Sequence, residues 1–449
     1  MKSRLLYAIG GLAMASLFAG PAAADKVKID FWYGNSGDIS QRVQEVCKHF
    51  NDSQTDYEVV CTSQGSYYAA VQNTIAAYRG GKPPTIVQVF DVGTLDLMLS
   101  DAYYPAYKLM ADNGYKIDWN NYFAGIRAYY ASSKGDMYSF PFNSSTALLY
   151  WNKDAFQKIG KTAAPATWEE AGDDMKALKA AGYDCPLAID ISQDESWQLM
   201  EQFSAIHGEP IATKDNGFGG LDATLTFNKT KFVQFVSDLK SWYDQGLAKI
   251  KSPNTGEDYV TAFASGHCQM TLTSVGDHGN IGRLADPSMH WDVAMLPLYA
   301  GTKRHNSFVG GASLWVLKGH TPEEYKAAAA FLNFIAKPEE ALFWSTVTGY
   351  IPVTQSGFDY MKANGFYDKP PYKGREIAIA QLSVDPTGAG AAGGIRLGNF
   401  LQIRGELSNG LQEIFAGKAT VQQGLDEAVD RGDMILRRFE ATYKGVQLP

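Results

Sequence analysis

The stretch VKIDFW at residues 27–32, followed by YEVVCT at 57–62 and TIVQVF at 85–90, decides the fold class of this chain. Each segment is short, largely apolar and rich in β-branched or aromatic residues, as expected of strands in a buried sheet. Amphipathic segments over 39–50 and 68–78 separate them and predict helices. Strand–helix–strand alternation favours right-handed crossovers and an open α/β sheet, which binds ligands at the carboxyl ends of its strands.

The same alternation continues through the rest of the chain. Residues 147–151 are apolar and predict a further strand, and Thr167 with Glu170 predicts the start of a helix as a capping box. Thr321 and Glu324 repeat that box, with proline at the first helical position. A chain of 449 residues, of which 45% are hydrophobic, is long enough for two lobes with a core in each.

The overall charge is acidic. Lysine and arginine number 40 against 48 aspartate and glutamate residues, which gives a net charge of −8. Binding of nucleic acid needs clustered basic side chains that neutralise phosphates, so no nucleic acid is expected as a partner. A single buried cationic group that binds a small anion remains compatible with this charge.

The first residues predict export from the cytoplasm. Lys2 and Arg4 form a basic region, residues 5–18 form an apolar run, and the alanines at 22–24 form a small-residue cleavage site. The run is too short for a comfortable membrane span, and no later apolar stretch reaches about 18 residues. We therefore predict a signal peptide over residues 1–24 and an exported, soluble protein; an uncleaved anchor is the alternative.

Four cysteines follow the predicted cleavage site. Their spacing matches no zinc-binding pattern and includes no CxxC. In an oxidising compartment an even count favours disulfides, and three connectivities are open. A bond between Cys47 and Cys61 would tie a helix to the next strand, and one between Cys185 and Cys268 would join two distant segments. Four buried free thiols are the alternative, and in either case the cysteines are structural.

No catalytic signature stands out. The sequence contains no GxSxG, HExxH or GxxxxGK[ST] motif, and no two of its 7 histidines are four residues apart. Gly388, Gly390 and Gly393 match GxGxxG, but they follow Asp385-Pro386 rather than a strand, which favours a flexible loop. A glycosidase pair of carboxylates needs no motif, so that alternative stays open. The many aromatic and glycine residues suit the binding of polar, hydroxylated small molecules.

Six separated motifs stand out along the chain, namely QVFDVGT at 88–94, PFNSST at 141–146, YWNKDAF at 150–156, GGASLWV at 310–316, TGYIP at 348–352 and RLGNFLQIR at 396–404. Together they resemble the extracellular solute-binding proteins of ABC importers, in the group that takes up sugars and glycerol derivatives. The runs GGASLW and GNFLQIR are the most selective, whereas NKDAF and PFNS are common across the superfamily. Within the family, the chain is most similar to the group that binds sn-glycerol-3-phosphate.

The resemblance implies the two-lobe α/β fold of type II periplasmic binding proteins, with a hinge between the lobes and the ligand in the cleft. The lobes would be discontinuous, with residues 25–140 and 297–337 in the first and 141–296 and 338–449 in the second. The implied function is to bind sn-glycerol-3-phosphate or a glycerophosphodiester such as glycerophosphocholine in the periplasm. The implied partners are an inner-membrane ABC permease and its ATPase, and neither catalysis nor a cofactor nor a metal is implied.

The resemblance also implies a set of ligand-binding residues, which are Tyr67, Asp91, Ser145, Ser274, Gly311, Tyr350 and Arg404. Asp91 stands where the family usually has Glu, and its carboxylate can accept hydrogen bonds from glycerol hydroxyls. The serine hydroxyls can donate to phosphate or glycerol oxygens, and Gly311 lets a backbone N–H approach the ligand. Arg404 is the implied cation for the phosphate, since a guanidinium fork matches two phosphate oxygens.

Two tryptophans are further candidates for the ligand site. Trp168 and Trp197 are candidates for a wall of the cleft, where an indole stacks on a carbon skeleton or meets a choline cation. Packing is the alternative for Trp168.

An oligosaccharide or polyol binder, in which Arg404 forms hydrogen bonds with hydroxyls, is the alternative function within the same class. A secreted carbohydrate-active hydrolase is the alternative from another class.

Overall fold

The computed structural model describes residues 25–253, 256–370, 372–385 and 393–448. The predicted signal peptide over 1–24 lies outside these ranges, and so do Gly388 and Gly390 of the glycine-rich segment. The described residues form two β-sheets with helices around them, which confirms the predicted α/β class.

Eleven strands form the two sheets in the described part of the chain. They are β1 (Val27–Tyr33), β2 (Tyr57–Ser63), β3 (Ile86–Phe90), β4 (Tyr103–Tyr104), β5 (Phe140–Ser145), β6 (Ala147–Asn152), β7 (Cys185–Asp190), β8 (Ala248–Lys251), β9 (Cys268–Ser274), β10 (Trp291–Ala294) and β11 (Gly310–Leu317).

The first sheet has the strand order β2-β1-β3-β11-β4, and β5 also pairs with β11. β1 lies parallel to β2 and β3, as the strand–helix alternation predicts. β11 comes from a distant segment and runs antiparallel to β3, β4 and β5, so the sheet is mixed. Gly311 in β11 has a φ of +105°, and a Cβ there would stand 2.0 Å from the backbone oxygen of Asn143, so only glycine fits.

The second sheet has the strand order β10-β6-β9-β7-β8. β7 is parallel to β8 and β9, whereas β6 is antiparallel to β9 and β10. Each sheet therefore contains a group of parallel strands, and a ligand site is expected at the carboxyl ends of each group.

Helices connect and cover the strands. The α-helices are α1 (Gly37–Ser53), α2 (Tyr67–Arg79), α3 (Thr94–Ser100), α4 (Ala106–Asp112), α5 (Ala124–Tyr130), α6 (Lys153–Lys158), α7 (Trp168–Ala180), α8 (Met200–His207), α9 (Thr213–Asn216), α10 (Phe232–Asp244), α11 (Tyr259–Ala264), α12 (His278–Leu284), α13 (Pro322–Ile335), α14 (Pro338–Val347), α15 (Gln355–Ala363), α16 (Glu376–Leu382), α17 (Phe400–Phe415) and α18 (Val421–Thr442). Within the described ranges, none of them has the length and apolar character that crossing a membrane requires.

One of the two predicted capping boxes forms completely and the other in part. Thr321 accepts the N–H of Glu324, and the Glu324 carboxylate accepts the backbone N–H of Thr321, which confirms the capping box of α13. Thr167 accepts the N–H of Glu170 at the start of α7, but the Glu170 carboxylate accepts the backbone N–H of Ala166 instead of that of Thr167, so this box is only half formed. The helix predicted over 39–50 begins two residues earlier, at Gly37, so Asp38 lies inside the first turn of α1.

The chain passes between the two sheets twice. β5 ends at Ser145 in the first sheet, and β6 begins at Ala147 in the second. The chain returns between Ala294, the last residue of β10, and Gly310, the first residue of β11. The first lobe boundary was expected after residue 140, but β5 continues past that position within the first sheet. The lobe boundaries themselves stay a prediction.

Two disulfides bond all four cysteines, Cys47 to Cys61 and Cys185 to Cys268, which selects one of the three open connectivities. The first ties α1 to β2. The second joins β7 to β9, where the two cysteines are directly paired in register. Because its cysteines are 83 residues apart, the second bond closes the longer loop and restricts the unfolded chain more.

Candidate functional site

A cavity of about 510 Å³, called the cleft below, is lined by segments that follow strands of both sheets. β1, β2 and β3 lead into it through Gly34, Gly65 and Asp91, and β9 leads into it through Ser274. These are the carboxyl ends at which α/β sheets place ligands. The cleft brings together the whole predicted ligand set, namely Tyr67, Asp91, Ser145, Ser274, Gly311, Tyr350 and Arg404.

A network of neutral amides holds Tyr67 at one wall of the cleft. Asn35 and Asn143 donate to the Tyr67 hydroxyl from their Nδ2 atoms over 3.1 and 2.8 Å. Gln88, which is fully buried, donates from Nε2 to the amide oxygens of both asparagines over 2.8 Å. Its Oε1 accepts the backbone N–H of Gly34 at 2.8 Å. These five residues, called the amide network below, contain no ionisable group other than the Tyr67 phenol.

Tyr350 extends this network into the cleft. Its ring stacks on Trp344, with the planes 2° apart and the centroids 5.7 Å apart. Burial raises the pKa of Tyr67 well above its usual range, and the adjacent Tyr350 hydroxyl adds to the rise. The Tyr67 hydroxyl already accepts two amide N–H groups, which leaves its own proton to donate. Tyr350 also lines the cleft, where its hydroxyl can contact a ligand.

Arg404 lies buried against two carboxylates at another wall of the cleft. Its Nη2 donates to Glu201 Oε2 at 2.8 Å and its Nε donates to Glu201 Oε1, so the pair is bidentate. The same Nη2 lies 3.5 Å from Asp91 Oδ1. Arg404, Asp91 and Glu201, which are 4%, 5% and 3% exposed, are called the triad below. They come from α17, the end of β3 and α8, three segments far apart in sequence.

Two carboxylates share one guanidinium in the triad. Burial raises the pKa of Asp91 to about 7, Arg404 opposes that rise and Glu201 adds to it. Burial lowers the pKa of Arg404, but the charges of Glu201 and Asp91 outweigh it and raise that pKa overall. Within the described residues, Nη1 is the guanidinium nitrogen without a carboxylate partner, so the expected two-pronged phosphate fork is largely occupied.

The small residues of the predicted set lie at strand ends. Ser145 is the last residue of β5, and Ser274 is the last residue of β9. The Ser274 Oγ accepts the backbone N–H of Gly276 at 3.0 Å, which leaves its proton for the cleft. The backbone N–H of Gly311 is directed at Asp91 and lowers the pKa of that carboxyl.

The two candidate tryptophans have different environments. Trp197 lines the cleft and packs over Gly310, where a Cβ would stand 3.0 Å from the indole ring. Trp168 is 3% exposed and packs against Phe235 and Trp242, with centroid distances of 4.7 and 6.2 Å. Trp168 does not line the cleft, so its prediction as a wall is wrong. It starts α7 on the side that packs against α10, and its bulk fills the core there.

The other charged side chains that line the cleft are acidic. They are Asp194, Glu195 and Asp277. Burial raises the pKa of Glu195 to about 8, with Asp277 as the next cause, and burial raises the pKa of Asp277 to about 6. Arg404 is thus the single basic side chain among the described lining residues. In the part of the chain that the structure describes, no group of three His, Cys, Asp or Glu side chains is placed to hold a metal.

Sequence reasoning missed Glu201 and the amide network around Tyr67. Every residue of α8 is buried, so no polar face distinguishes Glu201 in the sequence. The segment MEQFSAIH at 200–207 also contains Gln202, Ser204 and His207, so the sequence carries no signal that singles out Glu201. Asn143 lies within the quoted run PFNSST, yet asparagine and glutamine carry no distinctive pattern of their own.

Residues 45–365 match a family described as bacterial extracellular solute-binding protein. That range is well over half of the chain. The chain belongs to this family. The match confirms the resemblance that the separated motifs carry.

Curated relatives match nearly the full length. The sn-glycerol-3-phosphate-binding periplasmic protein UgpB of Salmonella typhimurium is 39% identical over 439 residues, which cover 97% of this chain and 98% of that one. The protein of the same name in Escherichia coli K12 is 38% identical over 445 residues, which cover 98% and 99%. The family membership therefore extends over the whole chain rather than one lobe.

Solved structures share the fold. UgpB from Mycobacterium tuberculosis, in complex with glycerophosphocholine, has a TM-score of 0.76 and 24% identity and covers 92% of this chain and 99% of its own. The sugar-binding protein MalE from Xanthomonas citri has a TM-score of 0.71 and 18% identity and covers 94% and 100%. At these identities the similarity establishes the fold, and it confirms the predicted two-lobe type II periplasmic binding protein architecture.

Proposed function

We propose that this chain is the binding component of an ABC importer for sn-glycerol-3-phosphate or a glycerophosphodiester such as glycerophosphocholine. The observation that carries the proposal is that all seven expected ligand residues line one cleft. The nearly full-length similarity to sn-glycerol-3-phosphate-binding periplasmic proteins supports the choice of ligand.

The polar groups of the cleft suit the two halves of such a ligand. Carboxylate oxygens of Asp91 can accept hydrogen bonds from glycerol hydroxyls, and Nη1 of Arg404 can donate a hydrogen bond to the oxygens of those hydroxyls. Hydroxyl protons of Ser145, Ser274 and Tyr350 are available to phosphate oxygens. Charge-assisted hydrogen bonds contribute about 1.5–3 kcal/mol each, so a few of them with neutral contacts reach micromolar affinity, about −8 kcal/mol.

Capture and release follow from the position of the cleft between segments of both sheets. A ligand that contacts both sides binds the closed arrangement more tightly and shifts the chain toward it. Relatives of this family are solute-binding proteins, which bind a small ligand and work with a membrane permease and ATPase. We propose a complex of that kind as the partner, export to the periplasm by residues 1–24, and no covalent step.

Calorimetric titration of the ligand-stripped mature protein tests the proposal. We expect saturable, micromolar binding of sn-glycerol-3-phosphate, glycerophosphocholine or both, and no binding of maltose. Tyr350→Phe keeps the stack on Trp344 and removes the hydroxyl, so it should weaken binding roughly tenfold, or about 1.4 kcal/mol. Tyr243→Phe is the matched control, since Tyr243 is exposed and lies outside the cleft.

The other outcomes discriminate between the alternatives. If maltose alone gives binding heat, the ligand is an oligosaccharide rather than a glycerol compound, and the proposed importer function is unchanged. Equal losses of affinity in Tyr350→Phe and Tyr243→Phe would show that the Tyr350 hydroxyl does not contact the ligand. Turnover of a chromogenic sugar that depends on one cleft carboxylate would support a hydrolase, whereas a ligand recovered unchanged would exclude that activity for it.

A further inference from the structure

Glu201 is the member of the triad that the family resemblance does not supply. It lies on α8, all of whose residues are buried, and it contacts Arg404 through both carboxylate oxygens. A bidentate carboxylate fixes the plane of a guanidinium as well as its position. Arg404 is therefore held rigidly, with the Nε and Nη2 edge turned to Glu201 and Nη1 left over.

Glu201 also determines the charge that a ligand meets. The guanidinium would be a buried cation next to Asp91 alone, but Glu201 adds a second negative charge 2.8 Å from its Nη2. The lining side chains Asp194 and Glu195 add no compensating positive charge. A phosphate monoester carries close to two negative charges above pH 7, whereas a phosphodiester carries one. The second charge of a monoester has no basic partner in this cleft.

We propose that Glu201 is a positioning and specificity-determining residue, which fixes Arg404 and cancels its charge so that phosphodiesters of glycerol bind more tightly than the dianionic monoester. This inference rests on the proposed function, because it concerns the ligand of the same cleft. Asp91 and Arg404 touch the ligand, and Glu201 acts through Arg404. Burial raises the pKa of Asp91, with Glu201 among the causes, as expected of a site with excess negative charge.

The wild-type protein provides the first test. Calorimetry at pH 8 compares glycerol 3-phosphate with its methyl diester, which has nearly the same size and one charge less. We expect the methyl diester to bind at least tenfold more tightly, a difference of about 1.4 kcal/mol. Tighter binding of the monoester would overturn the inference and leave the proposed function intact. Failure of both compounds and of glycerophosphocholine to bind would overturn the proposed function, and the inference with it.

Two variants separate the charge of Glu201 from its positioning role. Glu201→Gln keeps the shape of the side chain and removes its charge. The preference for the methyl diester over the monoester, expressed as the ratio of their affinities, should therefore fall at least fivefold. Glu201→Asp keeps the charge and shortens the reach, so both ligands should weaken together while their ratio stays at the wild-type value. A readout based on the ratio is insensitive to a general loss of active protein.

A matched control comes from α17 itself. Glu406 pairs with Arg431 at 2.7 Å outside the cleft, and Glu406→Gln should leave the ratio unchanged. Equal loss of both ligands in Glu201→Gln would show a purely structural role and overturn the inference. If that variant fails to fold by circular dichroism, the wild-type comparison and Glu201→Asp decide: a diester preference that persists in Glu201→Asp supports the inference, and its disappearance overturns it.

Discussion

Two walls of the cleft position polar side chains by different means. The amide network holds the Tyr67 hydroxyl with neutral hydrogen bonds of 2.8–3.1 Å around the buried side chain of Gln88. The triad holds the Arg404 guanidinium with two buried carboxylates. Both walls satisfy buried polar groups, but only the triad buries full charges.

The difference has energetic consequences. A neutral hydrogen-bonded group that loses a partner costs the desolvation of that group, about 1–3 kcal/mol. A buried ion that loses its partner costs more, about 3–5 kcal/mol, since an uncompensated charge remains in a medium of low dielectric. We therefore expect the triad to be sensitive to both substitution and pH, and the amide network to be sensitive to the loss of a hydrogen-bond partner but not to pH.

The largest effect is expected for Arg404→Ala. It leaves Glu201 buried without its bidentate partner, so the free energy of unfolding should fall by about 3–5 kcal/mol in urea denaturation. The double variant Arg404→Leu with Glu201→Leu removes both charges and should recover most of that loss. A single variant that loses less than about 1 kcal/mol would break the comparison, because the triad would then be no costlier to disrupt than the amide network.

Gln88→Leu should have the next largest effect. It keeps the approximate volume, but it leaves the N–H of Gly34 and the amide oxygens of Asn35 and Asn143 without their partner. We expect a loss of about 2–3 kcal/mol in the same urea experiment. Gln245→Leu, at an exposed position, is the control and should stay within about 0.5 kcal/mol. Equal stabilities of the two variants would mean that the network does not hold Tyr67.

A smaller effect is expected from pH. The pKa of Asp91 is about 7 in the folded chain against an ordinary value of 3.8, so the folded state holds the extra proton between those values. The contribution of Asp91 therefore lowers the free energy of unfolding as the pH rises from about 4 to about 7. Asp96 and Glu195, with pKa values raised by burial to about 7 and about 8, act in the same direction. His207 and His278, with pKa values lowered by burial to about 4 and about 3, act in the opposite direction, mainly below about pH 6.5.

Between pH 6.5 and 8 the buried acids therefore dominate the change in stability. We expect the thermal midpoint of the wild type to fall from pH 6.5 to pH 8, and Asp91→Asn to fall less, by an amount equivalent to about 1 kcal/mol. Gln88→Leu should keep the wild-type slope, because the amide network does not titrate in this window. A flat wild-type profile, or an unchanged slope in Asp91→Asn, would contradict the assignment of buried charge to the triad.

The elements of the fold were predictable where they depend on local chemistry. β1, β2 and β3 follow from apolar runs with β-branched and aromatic residues, and the Thr321 capping box follows from two side chains three residues apart. The place of β11 in the first sheet was not predictable from its own pattern. That strand pairs with β3 more than 200 residues away, and an apolar segment does not specify its partner.

The candidate site was predictable only for residues that the family resemblance marks. The family resemblance implied all seven ligand residues, five of them within the quoted motifs and Tyr67 and Ser274 outside them, and the structure places all seven in one cleft. Glu201 and Gln88 were not found, because a buried Glu or Gln has no local signature. Trp168 was assigned a wall of the cleft on its chemistry alone, whereas its direction from the first turn of α7 places it in the core.

The sequence by itself determined the α/β class, the capped helices, the family and the residues that converge on the cleft. These depend on periodicity, side-chain chemistry and motif, which are local properties of the chain. Tertiary structure alone decided which cysteines pair, which sheet receives β11 and how the charge of Arg404 is balanced. Each of those depends on segments that meet only after folding, such as α8 and α17, whose residues Glu201 and Arg404 are 203 positions apart. The electrostatic character of the cleft is therefore a property of the fold, since it is set by the distances between charges rather than by their number.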